Sequence, residues 1–121
     1  MSPTHSIIFV YGTLRPGGSN HFRMDGARFV AAATVRGALY RIDWYPAIVL
    51  ADDAGEVHGE IFAVSPTQLA ALDDYEGPEY RRVRTQAAAA DGTLHEVWIW
   101  EWCGETLGRT PIPGGDWLKC E

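Results

Sequence analysis

At 121 residues the chain is long enough to bury a real core, and residues 1–121 are read as a single domain. Its 46% hydrophobic and 21% charged residues are the composition of an ordinary soluble globular protein. A formal net charge of −6 argues against nucleic acid or an anionic membrane as the main partner.

Residues 1–5 are polar and the apolar run at 7–10 is short, so neither a signal peptide nor a membrane span is expected, and a cytoplasmic setting is. Residues 6–11, Ser-Ile-Ile-Phe-Val-Tyr, are β-branched and aromatic with almost no polar break, which predicts a strand buried on both faces. Gly12 follows at once and opens a glycine-rich loop through Asn20. Without a Cβ at Gly12 a ligand can come close to the backbone, and the amides of Gly12, Thr13 and Leu14 can present donors to a carboxylate. A phosphate loop does not fit, because there is no Gly-Lys-Ser/Thr ending and no G-x-G-x-x-G opening a helix. A plain surface loop after a core strand remains the simpler alternative.

A brief helical turn is predicted over 21–24 with Asn20 as its cap. Residues 27–40 read as a strand interrupted by Gly37, at which a bend or bulge is expected. Residues 41–46 form a loop, since Tyr45 precedes proline; Trp44 and Tyr45 either wall a pocket or cover the rim of the core. A short strand at 47–50 and a turn at 52–55 come next. Residues 56–64 alternate as a strand, with Gly59 permitting a close neighbour. His58 and Glu60 share one face there, either as catalytic partners or, more simply, on a half-wet surface.

Ser65-Pro66-Thr67-Gln68 is a strong helix start, with Ser65 as cap, Pro66 at the first helical position and Gln68 set to reach back in a capping box. Leu69 and Leu72 fall on one face. The helix then runs into Asp73, Asp74 and Glu76 and is expected to end at a left-handed Gly77. Acids at the negative end of a helix dipole repel each other and resist ionisation, so at least one should have a raised pKa. Such a carboxyl can accept and return a proton near neutral pH. A solvated acidic helix end is the competing and commoner outcome.

A strand over 80–89 carries Arg81, Arg82 and Arg84, which either hold an anion or orient an acid, or are edge-strand charges. Asp91-Gly92 marks a hairpin turn, and the returning strand places Trp98, Trp100 and Trp102 on one side as barrel packing. In the Gly- and Pro-rich tail, Trp117 is expected to pack and Asp116 to hydrogen-bond the turn. Cys103 and Cys120 lack metal-ligand spacing and read as free thiols. About six or seven strands and one clear helix give an α+β protein on a small, mostly antiparallel β-barrel.

Several pieces, in order, resemble the gamma-glutamylcyclotransferase-like family, which includes gamma-glutamylamine cyclotransferases and plant AIG2-like proteins. They are Val10-Tyr11-Gly12-Thr13-Leu14-Arg15, Gly37-Ala38-Leu39-Tyr40 with Tyr45-Pro46-Ala47, Val57-His58-Gly59-Glu60-Ile61-Phe62, Leu72-Asp73-Asp74-Tyr75-Glu76-Gly77, Tyr80-Arg81-Arg82 and the closing Gly115-Asp116-Trp117. The resemblance implies a barrel with one or two flanking helices and a cavity at its mouth. It implies that Tyr11, Gly12, Thr13 and Leu14 bind a glutamyl group, that Glu76 is the catalytic acid/base and that Tyr80 borders the pocket. The implied reaction releases 5-oxoproline from a gamma-glutamyl amine or amino acid, with no metal and no cofactor. A hydrolase or acyltransferase acting on another gamma-glutamyl amide, or a non-catalytic binding module for small anionic amides, are the alternatives; the leaving group and oligomeric state are not specified by these residues.

Overall fold

A computed structural model describes residues 5–119; Cys120, and with it the reading of the two cysteines as a pair, lies outside them. Cys103 is an exposed free thiol. The strands are β1 (Ser6–Val10), β2 (Arg28–Arg41), β3 (Pro46–Leu50), β4 (Glu56–Val64), β5 (Tyr80–Ala89), β6 (Leu94–Trp102) and the short β7 (Thr110–Pro111), with one α-helix, α1 (Pro66–Glu76), between β4 and β5.

Five strands close into a barrel in the order β2-β4-β1-β6-β5, with β5 returning to β2 through Ala33↔Ala89 and Thr34↔Ala88. Closure removes the open sheet edges that invite aggregation. Every neighbouring pair in the ring is antiparallel except β1 with β6, which is parallel at Ile8↔Trp98. The α+β barrel with a flanking helix expected from the sequence is the observed fold.

β1 is central and is buried on both faces, as its unbroken apolar run requires. Phe9 and Tyr11 join Val35, Ile61, Val97, Ile99 and Trp117 in one core cluster. Ile8 and Val10 face the other way, into a second cluster with Phe62, Val64 and Trp100, which Leu72 of α1 completes. Leu72 is 2% exposed, and its burial is worth about 1.5–3 kcal/mol. The tail therefore plugs one core with Trp117, and the helix covers the other.

Four local expectations need correction. The irregularity in β2 lies between Phe29 and Ala31, not at Gly37, which pairs in register with Leu50. Gly37 instead marks where β2 passes from β4 to β3, and a Cβ there would press on the Val49 carbonyl at 2.9 Å. Asn20 makes no side-chain cap to the 3-10 turn at His21–Met24; its Oδ1 accepts from Arg23 Nε at 3.2 Å.

The helix start behaves as expected at Ser65, whose Oγ accepts from the Gln68 amide at 3.1 Å. Gln68 does not close the box. Its side-chain amide donates outward to the carbonyls of Asp25 and Arg23, at 3.0 and 3.4 Å, and so staples α1 to the segment before β2. Gly77 ends the helix with φ 79°, but its ψ of −176° extends the chain directly toward β5 instead of forming an αL cap.

Candidate active site

The loop after β1, the end of α1, the turn before β5 and the loop before β3 converge on one cavity of about 240 Å³ at a barrel mouth. Tyr11, Gly12, Thr13, Leu14, Glu76 and Tyr80 all line it. The residues that the sequence nominated from three separate segments are thus brought to one hollow. Trp44 and Tyr45 wall it as well, which decides the open choice about that loop in favour of a pocket.

The first loop is built by local hydrogen bonds. Arg15 N donates to Gly12 O at 3.1 Å, Gly18 N to Arg15 O at 2.7 Å and Asn20 N to Thr13 O at 2.9 Å. Among the described residues the amides of Gly12, Thr13 and Leu14 have no acceptor. The absence of a Cβ at Gly12 serves the protein itself. An added Cβ would meet the Pro46 ring at 2.7 Å, so the space expected for a ligand is taken by β3. Thr13 Oγ1 hydrogen-bonds the Tyr75 hydroxyl at 3.1 Å, linking this loop to α1.

The loop is anchored from below by Arg15, which is 7% exposed. Its Nε and Nη2 both donate to the Glu60 carboxylate at 2.9 Å, and its Nη1 donates to Asp116 at 2.8 Å. Burial opposes the Arg15 charge, but the bonds and charges of Glu60 and Asp116 outweigh it and raise its pKa. Asp116 is partly desolvated too, yet Arg15 holds its pKa low. Asp116 accordingly ties the tail to Arg15, a different partner from the turn amides expected. Glu60 is likewise an ion-pair partner of Arg15, and the backbone amide of His58 donates to Gly115 O at 2.8 Å.

Glu76 is half-buried in the cavity wall, and its carboxyl is pushed up from 4.5 to about 8. Burial is the main cause and the neighbouring charge of Asp73 the second. The expected raised carboxyl is present, but desolvation, more than crowding at the helix end, produces it; Asp74 is exposed. Asp73 is itself fixed, its Oδ1 accepting from Arg82 Nε and from Trp100 Nε1, each at 2.9 Å. Arg82 therefore orients an acid, the functional option raised for this arginine set. Arg81 and Arg84 pair with Glu101 and Glu96 across β5 and β6. β5 meets β2 only at Ala88 and Ala89, so the segment that carries these arginines has a strand partner on the β6 side alone, as an edge strand does.

Tyr11 and Tyr80 are both held as neutral phenols, their pKa values raised by burial and then by neighbouring acidic groups that include Glu76. The Tyr11 hydroxyl donates to Trp100 O and the Tyr80 hydroxyl to Pro46 O, each at 2.7 Å. Both rings line the cavity and help to set its shape. Trp100, read from the sequence as packing in preference to a ligand stack, also lines the cavity. No local pattern reveals that role, because the contact joins residues 27 positions apart.

A carboxyl whose folded pKa exceeds its unfolded value binds protons more readily in the folded state. Its stability contribution is complete below about pH 4.5 and is lost as pH rises through about 8. The full shift corresponds to ~5 kcal/mol, and access of water to the cavity reduces it. Denaturant titrations should show Glu76→Gln more stable than the parent by ~2 kcal/mol at pH 9 and nearly equal to it at pH 4.5. A constant difference across that range would mean that Glu76 ionises normally.

Among the described residues, no group of three or more His, Cys, Asp and Glu side chains converges as metal ligands do, and no helix is long and apolar enough to cross a membrane. Fold and site together define a small closed-barrel protein in which a half-buried acid and a loop of free amides line one cavity. The family model described as gamma-glutamyl cyclotransferase, AIG2-like, matches residues 8–119, and the chain belongs to that family. It is 32% identical over 114 residues to the gamma-glutamylcyclotransferase family protein YtfP of Escherichia coli K12, covering 92% of this chain and 95% of YtfP. An AIG2-like protein from Mus musculus superposes with a TM-score of 0.78 at 25% identity, over 90% of this chain and 86% of that one. The Pyrococcus horikoshii protein PH0828 superposes with a TM-score of 0.76 at 26% identity, over 95% and 92%. Family and fold support a gamma-glutamylcyclotransferase-like function.

Proposed function

We propose that the protein is a cyclotransferase that releases 5-oxoproline from a gamma-glutamyl amine or amino acid, with Glu76 as general acid/base. The observation that carries this reading is the shared cavity, lined both by an acid raised to about 8 and by the Tyr11–Leu14 segment. The substrate's alpha-amine gives a proton to the Glu76 carboxylate and attacks its own gamma-carbonyl carbon. The new C–N bond closes the five-membered ring, the bond to the departing amine breaks, and Glu76 returns the proton to that amine. A near-neutral pKa suits both halves of this exchange.

Ring closure is intramolecular, so holding the glutamyl chain folded supplies much of the rate, and no protein nucleophile is required. The amides of Gly12, Thr13 and Leu14 are suited to hold the alpha-carboxylate or the developing oxyanion. The cavity is smaller than the roughly 300–1,000 Å³ of drug-sized sites, in keeping with a ligand of amino-acid size. A panel of gamma-glutamyl amides analysed by mass spectrometry tests the reaction. Free 5-oxoproline is expected from at least one member. Release of glutamate, or transfer of the glutamyl group to an added amine, would replace this reading with hydrolysis or acyl transfer.

A further inference from the structure

Glu76 has a second carboxyl for a neighbour. Asp73 lies three positions earlier in the last turn of α1, a spacing that brings side chains to about 5–6 Å at Cβ. The two acids differ in their surroundings. Glu76 lines the cavity, whereas Asp73 is bound to the barrel wall, its Oδ1 accepting from Arg82 Nε on β5 and Trp100 Nε1 on β6. Trp100 lines the cavity too, so the indole that holds Asp73 shares the hollow with Glu76. Arg82 is fixed in turn, since its guanidinium stacks on Trp98 at 4.5 Å and its side chain is only 27% exposed.

The other ionisable groups around Glu76 are neutral, solvated or paired elsewhere. Tyr11 after β1, Tyr75 on α1 and Tyr80 on β5 are held as neutral phenols. Tyr45 adds a hydroxyl from the loop before β3, and Glu79 is exposed in the turn before β5. Arg23 stacks on the Tyr75 ring at 4.3 Å, and Glu101 of β6 pairs with Arg81. An anion at Asp73 favours the protonated form of Glu76, and the Arg82 cation behind it works the other way.

We propose that Asp73 is a positioning residue for Glu76: the Arg82–Asp73–Trp100 clamp fixes an anion beside the acid/base and a cation behind it, and their balance decides the pH range in which Glu76 exchanges protons. The use of that exchange in catalysis rests on the cyclotransferase reading, whereas the clamp itself does not.

Carbon-13 NMR of protein labelled at the glutamate Cδ follows Glu76 directly, its signal being the one lost in Glu76→Gln. The parental midpoint is expected near pH 8. Asp73→Asn keeps an oxygen for Arg82 and Trp100 but removes the negative charge, and should lower the midpoint by about 1 pH unit. Arg82→Gln removes the cation while leaving the Trp100 bond, and should raise it by ~0.5 pH unit. Arg82→Lys restores the charge and should return the midpoint toward the parental value. Arg84→Gln also takes a guanidinium from the Trp98 face, at 5.0 Å, but that side chain is solvated and paired with Glu96, so the midpoint should stay in place.

Mere loosening of the helix end would admit water to Glu76 and lower the midpoint in both Asp73→Asn and Arg82→Gln. Opposite shifts therefore mark a charge effect, and shifts of the same sign, or none in Asp73→Asn, overturn the proposal. Should Asp73→Asn not fold, the Arg82 pair decides: no rise in Arg82→Gln, or no return in Arg82→Lys, has the same result. On the best substrate of the panel the rising limb of kcat/KM should move with the NMR midpoints. A limb that stays put while they move would remove the clamp from catalysis. If no conjugate yields 5-oxoproline, the cyclotransferase reading fails, and the NMR midpoints still decide whether the clamp governs Glu76.

Discussion

Replacing Glu76 with glutamine should lower kcat for 5-oxoproline release by ~10²–10⁴-fold while leaving the fold intact, the range a positioned general acid/base supplies. Glutamine has nearly the shape of the parent residue, so the substitution removes the titrating proton and little else. Substrate affinity should change far less than kcat, since the carboxyl is needed mainly as bonds are exchanged. The pH profile offers an independent readout. Glu76 must begin as a carboxylate, so parental kcat/KM should rise with a limb centred near pH 8, and any residual activity of the variant should lack that limb. Unaltered turnover on the best substrate of the panel would remove Glu76 from the mechanism.

Arg15→Ala should destabilise the protein by about 3–5 kcal/mol, the usual consequence of removing one partner from a buried ion pair. Glu60 and Asp116 would each lose their guanidinium partner, and both side chains are mostly buried, at 14% and 17% exposure. The same loss should reach the cavity. Arg15 joins the loop after β1 to β4 through Glu60 and to the tail through Asp116, so without it the Gly12–Leu14 amides are less well held. Urea unfolding reads the first effect, and a raised KM in the folded variant reads the second. Lysine at this position should restore only part of the stability, because an ammonium cannot make the paired contact that Nε and Nη2 make with Glu60. A loss below about 1 kcal/mol would place Arg15 among ordinary surface ion pairs.

Much of the barrel was legible along the chain because its signals are local. The strand at 56–64 and the strand at 80–89 agree with β4 and β5 residue for residue. Alternation, glycine and proline placement and the Ser65 cap all act within a few positions, so they can be read before the chain is folded. The acidic run at 73–76 and the glycine loop after residue 11 stood out for the same reason, each being an unusual local run, whereas the choice of Glu76 among the three acids came from the family resemblance.

Three features depend on partners far along the chain. Gly12 is required by the ring of Pro46, Asp73 is positioned by Arg82 and Trp100, and Arg15 is bound by residues 45 and 101 positions away. Periodicity tells which face a side chain occupies and is silent on what lies across from it. The raised pKa of Glu76 shows the division most clearly. Local sequence supplied a crowded acidic helix end, but the larger cause is removal of the carboxyl from water, and that exists once barrel closure and the helix crossing bring four segments around one hollow.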